Sequence, residues 1–159
     1  MKIVNKETLI NAFLAAVGGF ICISFLSYLN ISIDGSIWLI PPFGASMVLV
    51  MAVPESPLAQ PKNVIIGHIL SALSGVLIYT LLGQTFYALG AGVALAIFVM
   101  MITKTIHPPA GANPIIVILG GKGMSFVLLP VAVGALIIII FAMIYHKILG
   151  RSYPKSPES

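Results

Sequence analysis

Two short stretches hold most of the residues in this chain that could do chemistry. They are Pro41-Pro42-Phe43-Gly44-Ala45-Ser46 and His107-Pro108-Pro109-Ala110-Gly111-Ala112-Asn113. Proline fits the first turn of a helix, where its missing N–H would be unpaired anyway, and it pushes the residue before it out of helical geometry. Pro42 and Pro109 therefore each predict the start of a half-helix preceded by an extended break. Gly44-Ala45-Ser46 and Gly111-Ala112-Asn113 then form the first turns, with side chains small enough for a ligand to reach backbone N–H groups. Ser46 and Asn113 add side-chain donors. A helix N-terminus carries roughly half a positive charge, so two converging ends offer about one unit without burying a cation. That suits a small monovalent anion, bound weakly enough to leave again. The expected binding residues are Pro42, Gly44, Ala45, Ser46, His107, Pro109, Gly111, Ala112 and Asn113. The competing reading is that Pro-Pro-x-Gly-Ala only lets helices pack closely. Two copies in register favour a site.

Other residues stand close to these stretches. Lys104 precedes the second, and either snorkels to the interface from a helix end or lines an inner mouth and attracts anions. His107 occupies the place that Ile40 has in the first stretch. It donates to the anion, reports pH, or caps the preceding helix. His68 shares a helix face with Ser71 and Gly75, for an interhelical hydrogen bond or for substrate. Gln60 and Asn63 lie in or beside a Pro-rich connector, residues 54–63, within reach of the site. Trp38 and His146 read as interface residues.

The composition limits what else the chain does. Of 159 residues, 59% are hydrophobic and 8% charged, with mean hydropathy +1.12; soluble domains average about 25% charged. The net charge of +4 is scattered over segment ends and makes no nucleic-acid stripe. Cys22 is the only cysteine and reads as a small core residue. The acids are Glu7, Asp34, Glu55 and Glu158, none in the middle of an apolar run. Neither a carboxylate pair nor a HExxH is present, and histidines 39 residues apart have no metal-ligand spacing. No enzyme activity, catalytic residue, cofactor or metal is expected.

The elements that must hold the two stretches follow from the apolar runs: Thr8–Leu29, Ile37–Val53, Asn63–Leu82, Phe86–Thr103, Pro108–Gly121 and Met124–Tyr145. Four are long enough to span a bilayer as helices. The two that carry the motifs are not. The first run is too long for a signal peptide and is expected to be a retained helix. An offset of 67 places Pro41, Pro42, Gly44 and Ala45 on Pro108, Pro109, Gly111 and Ala112, and also Val64 and Gly67 on Val131 and Gly134. The expected fold is an all-α membrane protein. It is a tandem repeat of helix, broken half-helix and helix, with repeats at about 8–82 and 86–148 inside one transmembrane domain of residues 1–159.

With six crossings and a cytoplasmic N-terminus, Lys2, Lys6, Lys62, Lys104, Lys147, Arg151 and Lys155 lie inside, and Lys122 lies outside with Asp34. Re-entrant motif segments would put Lys62, Lys104 and Lys122 outside, so charge bias favours six crossings and inverted repeats. Residues 149–159 then form a short cytoplasmic tail. So thin a chain is expected to form a homo-oligomer in the bilayer, most simply a dimer.

At PPFGAS, AVPESPLAQPKNVIIGHILSAL and KTIHPPAGANP, over roughly residues 8–148, the chain resembles the HPP family of small integral membrane proteins. The resemblance implies a polytopic protein described with four spanning helices, and plant and cyanobacterial relatives are associated with nitrite transport. Some bacterial members add a CBS-type domain, which is not expected here. The function expected is therefore a transporter or channel for a small anion, with nitrite the first candidate, in the cell membrane. The alternatives are a structural or accessory membrane subunit and a conduit for a small neutral molecule.

Overall fold

The structure is a computed structural model and describes residues 5–155; Lys2, Glu158 and the last four tail residues lie outside the described residues. Among these, every regular element is helical: α1 (Lys6–Ser32), α2 (Pro41–Ala52), α3 (Pro61–Leu82), α4 (Phe86–Ile102), α5 (Asn113–Leu119), α6 (Met124–Phe126) and α7 (Val133–Ile148). A 3-10 turn, Pro108–Ala112, leads into α5, and a wide turn, Val127–Ala132, joins α6 to α7.

Three segments are long and apolar enough to cross a bilayer: Lys6–Ser32, Pro61–Leu82 and Met124–Ile148. α4 has 17 residues, about 26 Å, slightly short of a hydrocarbon core of about 30 Å. The last span differs from the continuous helix expected there. Pro130 cannot donate to the helical ladder, and Leu129 before it is extended (φ −130°, ψ 119°), so α6 and α7 are two helices across a break.

Helix ends show how the breaks are made. Asn5 caps α1 by accepting from the Thr8 N–H at 2.8 Å. α4, α5 and α7 all end with a left-handed residue that lets two further N–H groups turn back onto the last carbonyls. At α4 these are Lys104 N–H to Met101 O and Thr105 N–H to Met100 O, at 3.2 and 2.9 Å. The left-handed residue is Gly121 after α5 and Gly150 after α7, but Lys104 (φ 54°) after α4.

The basic residues gather at one end of the bundle. Arg151 donates to Asn11 near the start of α1, Tyr153 Oη donates to Ala59 O at 2.7 Å, and Asn63 Nδ2 donates to Ile106 O at 2.9 Å. Burial pushes the Tyr153 hydroxyl above its ordinary pKa, so it remains a donor to that loop. Lys6, Lys62, Lys104, Lys147 and Arg151 thus share an end. Asp34 and Lys122 sit at the other, where Gly35 and Lys122 line one groove. Around the bundle, Phe13, Phe20 and Phe86 are exposed, as a lipid-facing surface requires. The core centres on Leu26, Phe43, Val50, Val131 and Ile138.

Candidate functional site

Both motifs build the expected break. Ile40 (φ −127°, ψ 149°) and His107 (φ −139°, ψ 100°) are extended, and helical geometry starts at Pro41 and Pro108. α2 begins halfway down α1, where Gly44 shares a groove with Gly19 and Ile23, and ends beside Thr8 and Asn11 near the start of α1. The second broken segment runs alongside α3. A Cβ placed on Gly75 would lie 2.7 Å from Pro114 Cα, and Gln84 Nε2 donates to Leu119 O at the far end. Each half-helix has 12 residues, the second as five plus seven, or about 18 Å.

Their first turns meet against α3. Ser46 of α2 lies 2.9 Å from His68 Nε2 and 2.8 Å from His107 Nε2. Asn113 Nδ2 lies 3.0 Å from both His68 Nδ1 and His68 O, and His107 Nδ1 lies 2.8 Å from Leu58 O. All four side chains are fully buried. Phe43 meets the His68 ring edge-on at 5.4 Å, and the two imidazoles sit 4.9 Å apart.

The proton positions follow from the partners. A carbonyl only accepts, so the Asn113 atom beside His68 O is the amide nitrogen, and its other hydrogen points at His68 Nδ1. That leaves His68 with its hydrogen on Nε2, donated to Ser46 Oγ. Leu58 O likewise requires a hydrogen on His107 Nδ1, so Nε2 of the neutral ring is bare and accepts from the Ser46 hydroxyl. Asn113, His68, Ser46, His107 and Leu58 O thus form one chain in which every hydrogen points the same way. Asn113 Oδ1 is buried without a partner.

Close approach makes the cluster possible. A Cβ on Gly67 would lie 2.7 Å from Thr105 O and 3.0 Å from His107 Cβ, while one on Gly134 would enter the Phe43 ring. The two glycines superposed by the 67-residue offset each clasp the other half's motif.

Of the residues expected to bind an anion, Ser46, His107 and Asn113 come together, joined by His68. Pro42 and Pro109 are buried beside them. Gly44 and Ala45 face outward, Gly111 and Ala112 are half-buried, and a Cβ on Gly44 or Gly111 meets nothing within 4 Å. Free backbone donors were expected on Gly44, Ala45 and Ser46 and on Gly111, Ala112 and Asn113, and the positions ahead of these offer none. The paired prolines have no N–H. The next one, on Phe43 or Ala110, already donates at 3.0 Å to Ile40 O or His107 O, and Asn113 N–H donates to Ala110 O. The charge of a helix end resides in its free N–H groups, so the double proline weakens it.

Lys104 is exposed at its helix end, and Gln60 spends its amide on Pro54 O, Ser56 O and Lys155 N–H. Neither reaches the cluster, and Asn63 stops at Ile106 O. His146, expected at the interface, is fully buried and donates to Val50 O at 2.8 Å. The sequence reading missed the Leu58 carbonyl, for which no sequence signal exists. It also missed the clasping role of Gly67 and Gly134, whose alignment was the available signal.

Two transmembrane proteins of Dictyostelium discoideum are 36% identical to this chain over 152 and 151 residues. These alignments cover 90% and 89% of the chain, but 49% and 53% of the relatives, so the chain spans about half their length. No solved structure matches it. The family described as HPP, transmembrane region, matches residues 4–154, a stretch that includes both broken segments and the cluster between them; the chain belongs to the HPP transmembrane family.

Proposed function

We propose that this membrane protein carries a small monovalent inorganic anion, with nitrite the first candidate, across the bilayer where the two half-helices meet. One observation carries the reading. Four fully buried polar side chains, drawn from both motifs and α3, converge in an apolar membrane protein, and no carboxylate is among them. Polar groups at that depth are costly and mark ion or substrate paths. Imidazole, hydroxyl and amide groups without an acid suit an anion, whereas cation paths are lined by acids. The arrangement of ends supports inverted repeats, because α1 starts at the basic end and α4 at the opposite one. Charge bias supports a cytoplasmic basic end.

A structural or accessory role is the second reading. It is favoured by the cluster's internal closure: its hydrogens are all donated within the protein, and the grooves beside α2 stop short of it. Purified protein in liposomes separates the two through uptake of nitrite, nitrate, chloride and formate. Asn113→Leu should keep the fold and reduce nitrite uptake at least tenfold. Gly111→Leu points into open space and should retain uptake. Loss of flux in Gly111→Leu alone would move the path to the outer face of the half-helix. Absence of all anion flux from folded protein would favour the accessory role or a conduit for neutral molecules.

A further inference from the structure

Ser46 has one hydrogen and two acceptors within reach of it, His107 Nε2 and Pro42 O. Besides the two imidazole Nε2 atoms, its Oγ lies 3.2 Å from Pro42 O, a carbonyl one turn back along α2 that a serine hydroxyl can reach. The cluster therefore has two complete hydrogen-bonding states on one set of heavy-atom positions. In the neutral state Ser46 donates to His107 Nε2 and accepts from His68. If a proton binds His107 Nε2, that ring donates to Ser46 Oγ instead. The hydroxyl hydrogen then turns to Pro42 O, and Ser46 accepts from both imidazoles. His107 Nδ1 stays on Leu58 O, and His68 stays on Asn113.

We infer that Ser46 and His107 form a one-proton site, and that the anion crosses together with the proton this site takes up. The inference rests on the transport reading above. Proton uptake puts one positive charge among Phe43 and Ser46 of α2, Leu58 of the connector, His68 and Ser71 of α3, Thr105 in the turn after α4, and Asn113 of the second segment. Among the described residues, the only other titratable group facing His107 from these elements is His68, and no acid there offsets the charge. An unpaired cation in the membrane is costly, so an anion beside it lowers the cost, and the proton and anion are held together. The balance is simple. One anion and one proton enter from one side, the proton occupying the lone pair of His107 Nε2. Both leave on the other side, and Ser46 returns its hydrogen bond to His107. No net charge moves.

The test uses the full chain in liposomes containing a pH-reporting dye, with protein-free liposomes as background. Nitrite uptake should carry one proton per anion and should not change when the membrane potential is clamped. Ser46→Ala should lose at least tenfold of the uptake and its dependence on the proton gradient. Nitrite flux that carries net current and ignores the proton gradient overturns the coupling and leaves the transport reading intact. Absence of anion flux overturns both. A second readout needs no flux. In 15N-histidine spectra at neutral pH, His107 should carry its hydrogen on Nδ1 and His68 on Nε2. Acid with nitrite should convert His107 to imidazolium, assigned by comparison with His107→Gln. A neutral His107 under those conditions, or one with its hydrogen on Nε2, overturns the proton site.

Discussion

The two broken segments use one backbone device for different ends. Each has an extended residue, a proline pair at the first helical turn and a small polar residue five positions after the first proline. In the first segment the extended residue is Ile40, buried in the apolar core, and α2 continues as a regular helix. In the second it is His107, bonded to Leu58 O and Ser46, and the first turn tightens to 3-10 geometry before α5. The first half-helix supplies a hydroxyl and an aromatic edge; the second supplies an imidazole and an amide. The two segments share a backbone geometry and differ in the side chains they bring to the cluster.

The largest expected effects come from the glycines that clasp each segment. Gly67→Ala and Gly134→Ala should each destabilise the protein by about 1–3 kcal/mol, the range for overpacking a filled interior. The obstacles differ. At Gly134 it is the Phe43 ring, a side chain that can be shortened; at Gly67 it is the backbone oxygen of Thr105. Adding Phe43→Leu should recover most of the thermal stability of Gly134→Ala in detergent, whereas no side-chain trimming near Thr105 should recover Gly67→Ala. Equal rescue at both sites would mean that the segments are held alike, contrary to these contacts.

Exchanging the extended residues has the next largest effect on stability and sharpens the division of labour. His107→Ile gives the second segment the residue of the first. It leaves Leu58 O without its donor, at a cost of about 1–2 kcal/mol, and should abolish anion uptake. Ile40→His puts an imidazole into an apolar core position and should destabilise the protein without adding transport. Uptake and thermal unfolding measured on both variants check this. Normal uptake by His107→Ile would remove chemistry from the second segment and leave only a structural difference.

Much of the frame was legible in the sequence because proline acts locally. Pro41-Pro42 and Pro108-Pro109 announced two half-helices, and the helices begin there. The end of the fifth run was likewise readable at Gly121, which lies within a turn of the boundary it marks. The site was legible only in part. Ser46, His68, His107 and Asn113 were each singled out, but their meeting depends on how three elements pack, and no periodicity encodes that. The anion argument counted on backbone N–H groups just after the prolines, and of these the Asn113 N–H is donated to Ala110 O. His146 looked like an interface residue because it stands among Tyr145, Lys147 and a helix end. The C-terminal strand of chain through Tyr153 folds back over it, with rings 5.2 Å apart, and buries it.

The smallest effect separates the second segment's entrance from its chemistry. Lys104 occupies the left-handed position that glycine holds after α5 and α7. A side chain there costs roughly 1–2 kcal/mol in backbone strain, partly offset by the greater entropy that glycine loses on folding. Lys104→Gly should therefore raise stability by less than about 1 kcal/mol, read as a small upward shift in thermal unfolding. Its effect on uptake decides why the strain is kept. The side chain is exposed three residues before His107, where a positive charge raises the local anion concentration by an amount that salt screens. If that is its use, the variant should take up nitrite more slowly at low ionic strength and match the parent at high ionic strength. Equal rates at both would confine Lys104 to ending α4, and the second segment would then act on the anion through His107 and Asn113 alone.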